Sequence, residues 1–426
     1  MKKYILIIVC LIIILILLIL CKPKKIEKKL DNNIDMVEVI YNKLKDNDID
    51  YDFIKWINDN YDNALTKLDK LLENKEYDLN VWHEITGNSY IVLNDLYNHL
   101  YDNMDNVKII KTNNNGTISF VGDVSLADNW FIAPKYDEGG INRILSSDML
   151  DIMRSSDVMI ANSEFTVSDR GNKLPNKMYT FRATPSRLAI YEEMGIDLVT
   201  LANNHVYDYG SIAFNDMLDA FLEYNIPHIG AGHNIEEAMM PYYFIVNGYK
   251  FAFVNANRSE KNIMTPGATE NSEGVFRCYD STDMINLIKN LRPNSDYVIA
   301  IIHYGRENSH ELEDVQISSS KAYIDAGADV VVGHHAHVLQ GIEFYNHKPI
   351  IYNLGNFLFN DEEIDTAIFK IILNDNGSLE YYMVPALQKN EYTDILIGFD
   401  KQRVIDDINS WSINAKVDED GKISEI

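Results

Sequence analysis

Cysteine is nearly absent: the 426 residues hold three, Cys10, Cys21 and Cys278. Cys10 and Cys21 lie in or beside one apolar run, so Cys278 alone is left for the body and no internal disulfide framework can form. An oxidising compartment is therefore neither required nor excluded. Basic residues are also few. Against 64 Asp and Glu stand 38 Lys and Arg, a formal net charge of -26. Such a surface repels phosphate backbones and argues against a nucleic-acid partner. It also repels a polyanionic substrate unless a metal ion or a local basic pocket intervenes. Long apolar runs are missing everywhere except at the start, yet 46% hydrophobic residues suffice for a sizeable core.

That one run, Tyr4 to Cys21, carries no charge. At about 1.5 Å per residue it spans roughly 27 Å as a helix, enough for a bilayer core. No small-residue cleavage site follows, so residues 1–21 read as an uncleaved transmembrane anchor, with lipidation of Cys21 as the alternative. Lys2 and Lys3 precede the run and Lys22, Lys24, Lys25, Lys28 and Lys29 follow it, a bias that favours a cytoplasmic body. A short N-terminus before a long domain is, conversely, the usual signal-anchor form.

Residues 22–115 divide into a Lys-rich linker and a helical spacer. Ile34, Val37, Ile40, Tyr41 and Leu44 show helical spacing, and 33–105 contains no proline. The polar run Lys111 to Gly116 marks a boundary. From Thr117 short β-branched runs alternate with amphipathic stretches. Strands are expected over 117–122, 157–162, 197–202, 250–256, 296–303, 328–333 and 349–353, then near 367–373 and 379–384. Helices are expected over 141–154, 185–194, 211–224, 281–291 and 317–325. This is α/β layering over 116–390, with 391–426 as a C-terminal extension.

Several apolar runs end in side chains able to hold a metal, and sites in α/β folds form where strands end. Ile118-Ser119-Phe120-Val121 runs into Gly122-Asp123, and Val158-Met159-Ile160-Ala161 into Asn162-Ser163-Glu164. Leu198-Val199-Thr200-Leu201 runs into Ala202-Asn203-Asn204-His205. Val298 to Ile302 runs into His303-Tyr304-Gly305-Arg306-Glu307, and Val330 to Val332 into Gly333-His334-His335-Ala336-His337. Five such endings are hard to explain as accidental caps. Alternation along an extended segment predicts that His335 and His337 share one side, with His334 facing away. Imidazole and carboxylate together suit Mn, Fe or Zn better than Ca or Mg.

The order Gly-Asp, Asn-x-Glu, Asn-Asn-His, His-aromatic-Gly-x-Glu, Gly-His-His-x-His and Asn353-Leu354-Gly355-Asn356-Phe357 resembles the CapA family of poly-γ-glutamate capsule synthesis proteins over about residues 117–386. That family is similar in turn to calcineurin-like metallophosphoesterases. The resemblance implies a four-layer αββα sandwich, preceded here by the membrane helix and the helical region, and one or two divalent metal ions. It implies Asp123 and His337 at a first metal, a bridging Glu164, and Asn204, His303 and His335 at a second. His205 takes the place of the histidine that meets substrate or leaving group. Phosphoesterases carry Asp-x-His at the first motif; here Ser125 stands at the histidine position.

Arg182, in Phe181-Arg182-Ala183, is a candidate for binding a substrate carboxylate or phosphate. Glu307 is expected to orient His303 or act as an acid or base, and His334 to support the ligands. Asn353 and Asn356 are expected to shape a turn beside the site, and Asp208 to shape a helix start or support the site. The resemblance implies a single-pass protein of the bacterial cell membrane, its body extracellular, working with membrane-bound capsule synthesis proteins. Three activities stay open: hydrolysis or transfer on a γ-glutamyl polymer, phosphoester hydrolysis, and non-catalytic polymer assembly or export with a vestigial metal site.

Overall fold

The computed structural model describes residues 106–112, 114–260 and 264–426. The expected membrane anchor, the linker and the helical region 33–105 lie outside them. Among the described residues no helix is long and apolar enough to cross a membrane. The chain divides into two compact units, Met1–Lys111 and Thr112–Ile426. The described part of the first holds the strand Val107–Ile110. The second is a mixed α/β fold with two large sheets.

Its main strands in chain order are β1 (Gly116–Val124), β2 (Val158–Ser163), β3 (Leu198–Thr200), β4 (Tyr242–Val246), β5 (Tyr249–Asn257) and β6 (Tyr297–His303). These are followed by β7 (Val330–His334), β8 (Ile342–Tyr345), β9 (Lys348–Ile351), β10 (Asn356–Leu358), β11 (Ile364–Leu373) and β12 (Leu379–Lys389). In one sheet β2 lies parallel between β1 and β3, and β10 runs parallel along the end of β1. The long hairpin β11–β12 continues that sheet antiparallel to β1. In the other, β5, β6, β7 and β9 are parallel neighbours, flanked by antiparallel β4 and β8. Every residue of β2 and β7 is buried, as parallel strands covered on both faces must be.

The sheets touch through aromatic side chains. Phe120 meets Phe253 with ring centroids 6.3 Å apart, and Phe344 meets Tyr381 at 6.3 Å. Helices α1 (Ser147–Ser155) and α2 (Gly210–Glu223) belong to one core cluster with β2 and β3, through Met149, Met153, Phe214, Met217 and Phe221. Each such side chain contributes roughly 2 kcal/mol by leaving water. Helices α3 (Thr282–Leu291) and α4 (Asp314–Ala326) pack together and against β6 and β7, respectively. A capping box between Glu313 and Gln316 starts α4, and Gly327, at φ 119°, ends it.

Two expectations need correction. The helix expected over 141–154 is a 3-10 turn, Ile141–Arg143, and then α1, because Ser146 stops the chain and caps α1 by accepting the Met149 N–H at 3.0 Å. Strands β4, β8 and β10 were not anticipated. The first two are made by hairpins whose turn residues, Asn247-Gly248 and Asn346-His347, all have positive φ, the type I′ geometry that matches strand twist. Residues 391–426 add Tyr392–Ile395 and Lys422–Glu425 to the edges of β12, so this stretch shares its sheet with the body.

Candidate metal centre

Strand register levels the polar endings. In the first sheet Asn356, Asp123 and Asn162 are paired in a row; in the second, Asn257, His303 and His334. The two rows face one another. Asn162 Nδ2 donates to Asp123 Oδ1 at 2.8 Å and to Glu164 Oε2 at 3.1 Å, and lies 3.4 Å from His303 Nδ1. Asn162 was not anticipated as a site residue. Its place two positions before Glu164, at the end of the same apolar run, was the available signal.

Asp123 is fully buried. His334 Nδ1 lies 3.2 Å from its Oδ1, His337 Nδ1 3.3 Å from its Oδ2, and the His335 N–H donates to Oδ2 at 3.3 Å. Burial alone would raise its pKa, but bonds and charge from His334 and His337 hold it well below the carboxylate range. His334 therefore does not face away; it borders Asp123. Glu164 shows the opposite balance. Burial, with Asp123, Glu307 and Asp208 nearby, pushes its carboxyl well above the usual range. Its Oε1 is buried without a hydrogen-bond partner among the described residues, while His303 Nε2 stands 3.5 Å away and His337 Nε2 3.9 Å.

His303 Nε2 and Asn204 Oδ1 are 2.8 Å apart. Burial, reinforced by His335, keeps the His303 imidazole neutral, and burial with His337 drives His335 down to about 3. His335 Nδ1 is also buried and unpartnered among the described residues. His337 differs: burial would lower its pKa, but its bond to Asp123 wins and raises it. Its Nδ1 also meets Asn356 Oδ1 at 2.8 Å, which fixes the ring and leaves Nε2 turned to Glu164.

Two groups of three ligand atoms result, each close enough to hold one metal ion: Asp123, Glu164 and His303, and Glu164, His335 and His337. Glu164 belongs to both. The pairs set together by the resemblance also lie close: His337 Nδ1 is 3.3 Å from Asp123 Oδ2, and the His303 and His335 rings are 4.7 Å apart. The extended geometry expected for His335 and His337 is absent. β7 ends at His334, and His335 and His337 have φ of 94° and 60°. They converge through bent, left-handed backbone instead of strand alternation.

The supporting residues sort clearly. Asp208 does not cap α2, whose N-cap is Tyr209 with no side-chain bond. Its Oδ2 takes the Phe181 N–H at 2.7 Å and meets His205 Nδ1 at 2.8 Å. Asn353 Oδ1 accepts the Gly355 N–H at 3.0 Å and shapes the turn. Glu307 is exposed and is not bonded to His303; it acts on Glu164 and His337 through charge. Arg182 stacks 4.3 Å over the Tyr209 ring and donates to the carbonyls of Arg170 and Gly171, so its contacts brace a loop and not the centre. The Ser125 hydroxyl is buried with no partner among the described residues. Phe181 packs on His205 with centroids 4.5 Å apart and Phe359 on His337 at 4.9 Å, contacts that sequence spacing gives no means to see.

The profile of the family described as "Bacterial capsule synthesis protein PGA_cap" matches residues 117–361. The "PGA biosynthesis protein CapA" of Bacillus subtilis (strain 168) is 30% identical over 320 residues, 72% of this chain and 81% of its own. The "Capsule biosynthesis protein CapA" of Bacillus anthracis is 29% identical, covering 68% of this chain and 71% of its own. A solved 5'-nucleotidase from Candida albicans SC5314 is 12% identical over 64% of this chain and 52% of its own, with a TM-score of 0.33, too low to carry an argument. The match across residues 117–361, with the two CapA relatives, shows that this chain belongs to the bacterial capsule synthesis protein family PGA_cap, the CapA family.

Proposed function

We propose that this chain is a membrane-anchored, metal-dependent hydrolase or transferase acting on a γ-glutamyl polymer during capsule formation. The carrying observation is the pair of ligand groups that share Glu164. Within this reading residues 1–21 form the anchor, the body lies outside the cell beside other capsule synthesis proteins, and the two sheets with their helices form a four-layer αββα sandwich of metallophosphoesterase type.

The residues present fit a divalent ion. Two polar atoms of these residues, Glu164 Oε1 and His335 Nδ1, are buried and unpartnered among the described residues, a cost of about 1–3 kcal/mol for each such atom that ligation at it would remove. Asp123, Glu164 and His303 would hold one ion and Glu164, His335 and His337 another, with Asn204 beside His303. Mn, Fe or Zn suits this set. A bound ion would polarise the scissile acyl or phosphoryl group and acidify a nearby water. His205, tied to Asp208 through Nδ1, leaves Nε2 as the atom that, once protonated, can give that proton to the leaving group. Asn356 and Phe359 hold His337 in one orientation.

Ser125 favours a second reading, a polymer assembly or export factor, because it stands at the position where phosphoesterases carry a histidine. One experiment separates the two. The full-length chain is purified, its metal content measured, and turnover assayed on poly-γ-glutamate and on a phosphodiester beside Asp123→Ala and His335→Ala. Stoichiometric metal and turnover lost in both variants are expected. No metal and no turnover under any loading would sink the enzyme; cleavage of the phosphodiester alone would move the activity to phosphoester hydrolysis.

Metal loading should also release protons. Glu164 and His337 have pKa values above their ordinary ones, so below those values an incoming ion must displace their protons, while His303 and His335 are already neutral. Affinity therefore rises with pH through that range. Calorimetry in two buffers of different ionisation enthalpy checks it: equal heats in both would contradict the assignment.

A further inference from the structure

We propose that Lys177 is a positioning residue for the Asn204–His205 pair, an inference that rests on the role given to that pair above. Lys177 sits in the stretch 171–179, where its neighbours Asn176, Met178 and Tyr179 are exposed, Met178 at 86%. Its own side chain is only 5% exposed. The ammonium lies 2.8 Å from Asp208 Oδ1 and 2.9 Å from Glu260 Oε2, and donates to the Asn204 carbonyl. The ammonium thus makes two hydrogen bonds, to Glu260 and to the Asn204 carbonyl, and pairs by charge with Asp208 Oδ1.

The arrangement acts on both members of the pair. Asp208 is held from two sides: the Lys177 charge pairs with Oδ1, while the Phe181 N–H and His205 Nδ1 share Oδ2. The carboxylate cannot rotate without breaking one of these contacts, so Lys177 fixes the acceptor that fixes the imidazole. Asn204 is held directly. Its carbonyl takes Lys177 and also the Thr265 hydroxyl at 3.0 Å, while its side-chain oxygen reaches His303. A lysine serving only as a loop tether would need the carboxylates alone. The bond to the Asn204 backbone ties it to a residue that reaches His303 across the two halves of the centre.

The test uses the full-length chain without added metal or substrate, so it is separate from the proposed activity. Ring-labelled histidine is followed by two-bond proton–nitrogen correlation, with His205 assigned by its loss in His205→Gln. The parent is expected to carry the ring proton on Nδ1. Lys177→Met should convert His205 to a mixture of both tautomers, Lys177→Arg should largely restore Nδ1–H, and Glu260→Gln should leave it unchanged. If Lys177→Met does not fold, Lys177→Gln against Lys177→Arg gives the same comparison. A His205 pattern unchanged in Lys177→Met or Lys177→Gln would overturn the proposal. Absence of turnover in the parent would instead count against the proposed function and leave this result standing.

Discussion

Glu164→Gln is expected to empty both ligand groups at once while making the metal-free protein melt higher than the metal-free parent. The first effect follows from geometry, because Glu164 is the one residue common to both groups. The second follows from what the carboxylate costs without an ion. It is fully buried, its Oε1 has no hydrogen-bond partner among the described residues, and Asp123, Glu307 and Asp208 all disfavour its charge. Above the raised pKa, where the metal-free parent carries the charge, a neutral amide of the same shape escapes that repulsion and still accepts the Asn162 bond. The gain should be about 1–3 kcal/mol. At roughly 2–4 °C per kcal/mol for a body of this size, it appears as several degrees in calorimetry. Metal analysis of the variant should read near zero at loadings that saturate the parent. A metal-free variant that melts lower would show that Glu164 is stabilised by His303 and His337 even without an ion, and the argument would fail.

Gly333→Ala should be among the most damaging single changes in the chain, although it adds only one methyl group. A Cβ at Gly333 would stand 2.0 Å from the Tyr352 carbonyl oxygen and 2.6 Å from the Tyr304 ring. The first is backbone and cannot turn aside. Gly333 does not have positive φ, so an alanine there is not conformationally strained; the whole penalty is contact. Moving Tyr352 means separating β7 from β9, which pair through Val331–Ile350 and Val332–Ile351. We expect a loss of about 3–5 kcal/mol together with weakened metal binding, since the next residues are His334 and His335. Gly248→Ala is the control. There φ is +88° but a Cβ would meet nothing within 4 Å, so about 1 kcal/mol of backbone strain is expected. Equal losses at the two sites, read by denaturant unfolding, would show that the approach at Gly333 is not the constraint.

The contrast between these glycines marks how far the sequence could be read. Long parallel strands announce themselves as apolar runs, and Val158 to Ala161 or Val330 to Val332 could hardly be anything else. Where such a run meets Asp, Asn or His, position along the chain is also position at the sheet edge, so the residues gathered there were legible. The hairpin strands β4 and β8 were not, although Asn247-Gly248 offered a turn signal of the strongest kind. The distances among these side chains were not legible at all. Which imidazole stands beside Glu164 depends on the relation between two sheets and on the left-handed backbone at His335 and His337, neither of which has a period in sequence. Lys177 escaped for a related reason: in an exposed polar stretch, nothing local distinguishes the one lysine that turns inward.

The bends at His335 and His337 bear on whether this centre can be transplanted. Holding two non-glycine residues at positive φ costs of order 1–3 kcal/mol each, and here that is sustained by Asp123 on the His335 amide and Asn356 on the His337 ring. Grafted onto the end of another scaffold's strand, the string Gly-His-His-x-His would relax to extended backbone, and its histidines would spread apart. The portable unit is larger. It comprises the string, the Asn353–Asn356 turn that crosses it, and the end of β1 that supplies Asp123, three segments more than two hundred residues apart in the chain's extremes that a designer would have to move together.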